Sequence, residues 1–381
     1  MQRIKYLIAI LLGLACNAQA DSNWRISGYL QGVWQSQALT ERSGQRLGLN
    51  DSYIESGITL DRSLSDRLHF KTQINARQPT LTHSTIASVD VFAVRYQLYQ
   101  PIWGQVGISA GRLKNALIGF YSAQDDPLSR PMTTHARVYL GNIPQAFSAI
   151  DGARLDMSWL SDTGHGLDAY LYAGQHVIDT DININVNSAF NVQLKNKSYE
   201  TRALKLIYTS PTVPVAQLGL VAIYFDSLNR LTTPRGTLNS QIQGDVFISM
   251  GRLSATHWEL AGEYAWGQIK GTSPAAASLS RPTNIVKTAS FYSGYIEASW
   301  LHNPRWRLNL RYAQVEYPQL GYRQTEPFSG TSNGKGIIFY TRYQWNRTLF
   351  VGMELDRITA NTKPEGHQTY SLAMFQLGLH F

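Results

Sequence analysis

The chain has a single cysteine, Cys16, in 381 residues. Disulfide scaffolding, cysteine-ligated zinc and thiol catalysis are therefore excluded for everything downstream of it. Charged residues make up only 16%, against roughly 25% in an ordinary soluble domain. Yet after the N-terminal apolar run no stretch approaches the roughly 20 apolar residues that a membrane helix needs. Low-complexity tracts, helical repeats and a plug-sized or soluble appendage are also missing. Lys and Arg number 34 against 26 Asp and Glu, but they form no clustered basic stripe, so nucleic acid is not an expected partner.

At the N-terminus Arg3 and Lys5 precede the apolar run from Leu7 to Ala15, which is followed by Ala18-Gln19-Ala20. This pattern predicts a secretory leader over residues 1–20 and a mature chain from Asp21. The run is too short to anchor in a bilayer. Ala15-Cys16 would suit lipidation, but Gly13 stands where that signal wants a bulky aliphatic residue. Losing Arg3 and Lys5 takes the basic count from 34 to 32, a net +6 for the mature chain. No cysteine survives.

Beyond the leader the polarity alternates. Trp24, Ile26, Gly28, Leu30, Gly32 and Trp34 share one parity, and Arg25, Ser27, Tyr29, Gln31 and Gln35 the other. Leu68, Phe70, Thr72, Ile74 and Ala76 likewise oppose Arg67, His69, Lys71, Gln73, Asn75 and Arg77. Trp306, Leu308, Leu310 and Tyr312 oppose Arg305, Arg307, Asn309 and Arg311. Successive side chains on a strand point to opposite sides, so charge is confined to one face of a sheet. Soluble sandwiches alternate too; the aromatics separate the cases. Trp24 and Trp34 stand ten residues apart on one face, about 33 Å along a strand. Tilted by about 40°, that is roughly 25 Å, the height of a membrane barrel's apolar band between its aromatic girdles. Trp258 with Trp266, and Tyr292 with Trp300, repeat the pattern at slightly shorter spacing.

Tight connections fall near Arg62–Ser65, Gln100–Ile102, Ser161–Gly166, Ser210–Pro214, Ser254–His257, His302–Arg305 and Asn346–Arg347. Longer ones lie near Ser36–Asn50, Gln78–Ala87, Leu113–Ile150, Ile178–Tyr199, Ser227–Ser240, Ile269–Lys287, Tyr317–Gly334 and Ala360–Gln368. Seven tight and eight long connections in strict alternation imply sixteen strands, with both termini at the tight-turn end. The last strand places Ala373, Phe375, Leu377, Leu379 and Phe381 on one face, apolar to the final residue. The expectation is an all-β chain forming one transmembrane antiparallel β-barrel over residues 21–381.

Leader, strand rhythm, loop alternation and Phe381 together resemble a Gram-negative outer-membrane porin of the sixteen-stranded β-barrel superfamily, over essentially the whole mature length. The resemblance implies a water-filled channel for passive diffusion of small hydrophilic solutes or ions, with no cofactor, assembled as a homotrimer. It implies a setting of outer-membrane lipid and lipopolysaccharide, and Phe381 resembles the signal read by the barrel assembly machinery. It also implies that the third outer loop, Leu113 to Ile150, folds into the pore. Asp125, Asp126, Arg130 and Arg137 on that loop would then face Arg67, Lys71, Arg77 and Arg95 on the wall, with Arg112 and Lys114 at its entry. The chain departs from the general-porin pattern here: a Pro-Glu-Phe-Gly-Gly core is missing, and Ala123-Gln124-Asp125-Asp126-Pro127-Leu128-Ser129-Arg130-Pro131 stands instead. That leaves room for a more specialised channel. Arginines on the inward parity suggest a mild preference for anions. Glu259, Glu263, Glu297, Glu354 and Asp356 share that parity and oppose it.

Other signals compete. Gly107-Ile108-Ser109-Ala110-Gly111 spells the nucleophile-elbow motif, which needs a strand, a sharp turn and a helix. Here it lies within an alternating strand, where small lumen-facing residues explain it. The nine histidines are scattered: His69 reads as pore-lining, His165 as a turn residue, His380 as part of the last strand, and no pair has metal-ligand spacing. The oxygen-bearing residues Asp179, Asp181, Asn183, Asn185 and Asn187 alternate but lack the Gly and terminal Glu of a calcium loop; a short hairpin is the plainer expectation. Two rival functions remain at this level: a non-conducting surface barrel of adhesin or phage-receptor type, and a membrane-embedded hydrolase.

Overall fold

A computed structural model describes residues 24–40, 46–79, 86–114, 149–176, 182–185, 191–212, 214–233, 236–274, 284–316, 333–362 and 366–381. They form one antiparallel sheet of seventeen strands. β1 (Trp24–Thr40), β2 (Arg46–Ser63), β3 (Leu68–Pro79), β4 (Ile86–Tyr99), β5 (Gly104–Lys114), β6 (Ala149–Leu160) and β7 (Gly166–His176) pair in order. β8 (Ile182–Asn185) is a short hairpin arm on β9 (Asn191–Ser210), which itself pairs with β7. β10 (Val215–Thr233), β11 (Gly236–Ser254), β12 (Trp258–Pro274), β13 (Asn284–Asn303), β14 (Trp306–Glu316), β15 (Asn333–Gln344), β16 (Leu349–Thr362) and β17 (Gly366–His380) complete the circuit. β17 returns to β1, so sixteen strands close a barrel with no free edge. Closure gives every strand of the barrel a partner on both sides, as a structure immersed in hydrocarbon requires.

The period-2 pattern sorts the side chains as the sequence implies. Trp34, Ile74, Phe92, Leu220, Trp266, Ile296, Leu310, Met353 and Phe375 point outward and are exposed. An apolar belt of this extent belongs in lipid rather than water. Its two aromatic borders run across neighbouring strands: Trp258 faces Trp300 near the tight turns, and Trp266 faces Tyr292 at the other border.

The alternation of tight and long connections holds in order but not in length. Ser227–Ser240, expected to be a long loop, is strand almost throughout, since β10 and β11 stay paired out to Thr233 and Gly236. β9 already begins at Asn191, inside the expected Ile178–Tyr199 loop. The cause is physical: above the apolar belt a ladder needs only backbone partners, so strands continue after the polarity pattern has stopped. Residues 1–23, with the expected leader, and the connection over residues 115–148, with Asp125, Asp126, Arg130 and Arg137, lie outside the described residues.

The closing seam is built around a missing side chain. Gly28 and Phe381 exchange backbone hydrogen bonds of 2.9 and 3.0 Å. A Cβ on Gly28 would sit 2.6 Å from the Phe381 ring, so only glycine leaves room for the terminal aromatic. On the inner side of the same seam, Gln31 Nε2 donates to Glu55 Oε2 at 2.6 Å. Gln376 donates to Gln31, and the Tyr340 hydroxyl donates to Gln376 Oε1 at 3.1 Å. Gly28→Leu should therefore cost about 1–3 kcal/mol through overpacking and lower the yield of folded, heat-modifiable barrel in refolding trials. Gly251→Ala is the control, because its added Cβ meets nothing nearer than 3.8 Å. Equal yields for the two variants would contradict the seam's dependence on Gly28.

Candidate functional site

Inside the barrel the charged residues form local groups, which the register brings together from distant parts of the chain. Arg25 on β1, Asp61 on β2 and Lys71 on β3 are direct cross-strand partners. Further round the wall, Arg95 on β4, Ser109 on β5 and Arg154 on β6 stand side by side. Both arginines approach Asp156: Arg154 Nε lies 2.5 Å from one carboxylate oxygen and Arg95 Nε 3.8 Å from the other. Ser109 Oγ donates to the same carboxylate at 3.2 Å. Each group thus sets two cations against one carboxylate. Arg25 and Lys71 form no ion pair among the described residues.

Arg25, Asp61, Lys71, Arg95, Ser109 and Arg154, with His69, Gln73 and Lys114 among others, line a cavity of about 630 Å³ on the lumen wall. Lys114 is balanced by Asp90 at 3.5 Å. Asp90 in turn accepts from Asn75 Nδ2 at 2.5 Å. His69 shares a hydrogen bond of 3.1 Å with Ser63 Oγ. The two unbalanced groups leave a surplus of positive charge on this side. A low-dielectric wall focuses such a field into the adjoining water.

The opposite wall differs. Arg311 and Glu297 form an ion pair with side chains 2% and 1% exposed, and Arg311 Nε donates to Glu297 Oε2 at 2.8 Å. Glu259 accepts from Arg252 Nε at 2.9 Å and lies 3.7 Å from Arg307. Tyr295 donates to Glu263 at 2.5 Å. Glu354 and Asp356 are buried on the same inward face. Between the two walls, β10 and β11 present Val221, Ile223, Phe225, Val246, Ile248 and Met250 inward, in one buried apolar cluster. Glu263, Glu297, Glu354 and Asp356 are thus buried on this wall, whereas Arg25, Lys71 and Arg95 on the basic wall keep exposure.

The residues expected to line the channel separate clearly. Lys71, Arg95 and Lys114 border the cavity. Arg67 does not: β3 begins at Leu68, and Arg67 sits exposed in the preceding turn, its carbonyl accepting from the Gln97 N–H at 2.7 Å. Arg112 is also misplaced by the sequence reading. β5 continues to Lys114, so Arg112 shares the outward parity of Ile108 and Ala110 and clasps Asp151 at 2.7 and 2.8 Å. Arg77 lies on β3, with its side chain outside the described residues. Arg25, Asp61, Arg154 and Asp156 were missed as site residues. Arg25 and the Arg154-Leu155-Asp156 triplet carry the polar-apolar alternation that could have marked them.

Ser109, at the centre of the nucleophile-elbow spelling, is 3% exposed and bonded to a carboxylate, and the whole motif is strand. Among the described residues no three His, Cys, Asp or Glu side chains could hold a metal ion together.

No protein-family model matches the chain, and no curated protein is similar to it in sequence. Solved structures match at the level of fold. The outer membrane channel DcaP of Acinetobacter baumannii aligns with a TM-score of 0.59 at 8% identity, over 94% of this chain and 97% of that one. Salmonella typhi OmpF, in a complex with daunomycin, aligns at 0.50 and 14% identity, over 92% and 97%. The in-vitro folded, trimer form of OmpT, an outer membrane protein of Vibrio cholerae, aligns at 0.50 and 11%, over 94% and 99%. The chain has the closed sixteen-stranded porin-type fold, and this fold with its apolar belt is that of a Gram-negative outer-membrane protein.

Proposed function

We propose that the protein is an outer-membrane channel for passive diffusion of small hydrophilic solutes and ions, with a mild preference for anions. The observation that carries this reading is the cavity wall on which, among the described residues, Arg25, Lys71, Arg95 and Arg154 are set against Asp61 and Asp156. Cations there lower the barrier to an anion and raise it for a cation. The preference stays mild because the lumen also holds carboxylates, although most are engaged by arginine or tyrosine. Catalysis has no part in this reading: Ser109 is buried within a strand and donates to Asp156, without the strand-turn-helix that presents a nucleophile. Export through the leader of residues 1–20, recognition of Phe381 by the assembly machinery, packing among lipopolysaccharide and a homotrimeric state complete it. The trimer form of the Vibrio cholerae protein supports that last element.

The test is the zero-current potential of reconstituted channels across a tenfold KCl gradient. The expected sign is that of a channel passing chloride more readily than potassium. A cation-selective potential would remove the basic wall from the permeation path.

A further inference from the structure

The strand motif Gly107-Ile108-Ser109, left unexplained by hydrolase chemistry, has a different use on the lumen wall. We propose that it is the floor of a discrete oxyanion station, and that its ligand is a small organic carboxylate held by Arg95 with Arg154 beside it. The station rests on the channel reading above but is a separate claim: a saturable site, not only a favourable field.

Gly107 supplies the shelf. A Cβ at this position would sit 3.2 Å from Arg95 Nε and 3.4 Å from its Nη2, so the guanidinium lies against bare backbone. Ser109 fixes the far end by donating to Asp156, and Arg154 takes the nearer oxygen of that carboxylate at 2.5 Å. Arg95 is left with the remoter contact of 3.8 Å, too long for a hydrogen bond, and its buried Nε has no acceptor among the described residues. Its side chain nevertheless keeps 36% exposure, on the cavity side. A planar guanidinium with an unmatched donor, seated on a rigid strand, is shaped for a two-oxygen acceptor. Lys71, inward on the next strand, adds a further cation, one with no ion-pair partner among the described residues.

The neighbouring lining selects the body of the ligand. Ala93 borders the same cavity half-buried, with the buried Val91 and Leu113 packed behind it, giving a small aliphatic surface beside the cationic edge. Inorganic phosphate shares the head-group chemistry but has nothing to set against these side chains. A carboxylate with an apolar body has both parts, and benzoate is the simplest probe.

Isothermal titration calorimetry on the refolded full barrel in detergent tests the station without requiring current. Benzoate should give saturating heats with a dissociation constant on the order of 1 mM, the strength expected of one water-accessible charge-assisted pair. Phosphate should bind several-fold more weakly, and chloride should not saturate. Arg95→Gln should weaken benzoate about tenfold or more. Arg95→Lys should do nearly the same, because it keeps the charge and loses the fork. Gly107→Val displaces the guanidinium without removing it and should match them. Heat-modifiable mobility confirms that each variant is folded. Linear benzoate heats, phosphate binding at least as tight as benzoate, or Arg95→Gln binding like the parent would each overturn the proposal. Bilayer recording separates the two claims. Anion-selective current without benzoate binding discards the station and keeps the channel; benzoate binding without current does the reverse.

Discussion

Replacing Lys71 and Arg95 together by glutamate should turn an anion-preferring channel into a cation-selective one. Each substitution changes its local group by two charges, so Arg25–Asp61–Lys71 and Arg95–Asp156–Arg154 both pass from a surplus cation to a surplus carboxylate. Unit charges at about 4 Å in a partly solvated wall interact by roughly 4 kcal/mol before screening. A shift of about tenfold or more in the permeability ratio at 0.1 M KCl is therefore expected. The shift should shrink in 1 M KCl, where the screening length falls to about 3 Å. Both side chains border a water-accessible cavity, so the barrel should still fold. An unchanged ratio in dilute salt would mean that permeating ions do not pass this wall.

The second large effect is on stability. Glu297→Ala removes the hydrogen-bonded carboxylate from Arg311, whose side chain is only 2% exposed and whose Nε donates to Glu297, and leaves it the Tyr295 ring and the charge of Glu354. Breaking one side of a buried pair typically costs about 3–5 kcal/mol, because the remaining charge is left without compensation. The double replacement Glu297→Leu with Arg311→Met removes both charges at similar volume and should recover most of that loss. Glu200→Ala provides the contrast: its pair with Arg202 is 50% and 70% exposed, and such pairs contribute about 0–1 kcal/mol. Urea unfolding of the reconstituted barrel, followed by tryptophan fluorescence and heat-modifiable mobility, reads all three. Equal midpoints for Glu297→Ala and Glu200→Ala would contradict the buried network.

Much of the fold was legible because a half-lipid, half-lumen strand must alternate. β1, β12 and β14 declare themselves through Trp24 to Trp34, Trp258 to Trp266 and Trp306 to Tyr312, each set on one parity. β10 hid its inner face, since Leu218 to Phe225 is apolar on both parities and nothing marks Val221 and Ile223 as inward. The site was harder for two reasons. Parity assigns a face only once the strand ends are known: Arg67 falls in the turn before β3, and Arg112, within β5, takes the outward parity of Ile108 and Ala110. A bulge opposite Gln73 and Ile74 also leaves Asp90 without a cross-strand partner, so parity does not carry through β4. The feature that matters most, two cations per carboxylate, arises from pairing between strands. Arg25 and Asp61, or Ser109 and Arg154, meet only through register.

Single-channel recording of the refolded protein in a planar bilayer tests the central claim most directly. The expected result is long-lived unit steps, closing in threes for a trimer and carrying anions in preference to cations. Silent membranes containing folded, heat-modifiable barrels would contradict it, and would show that the lumen is closed to ions.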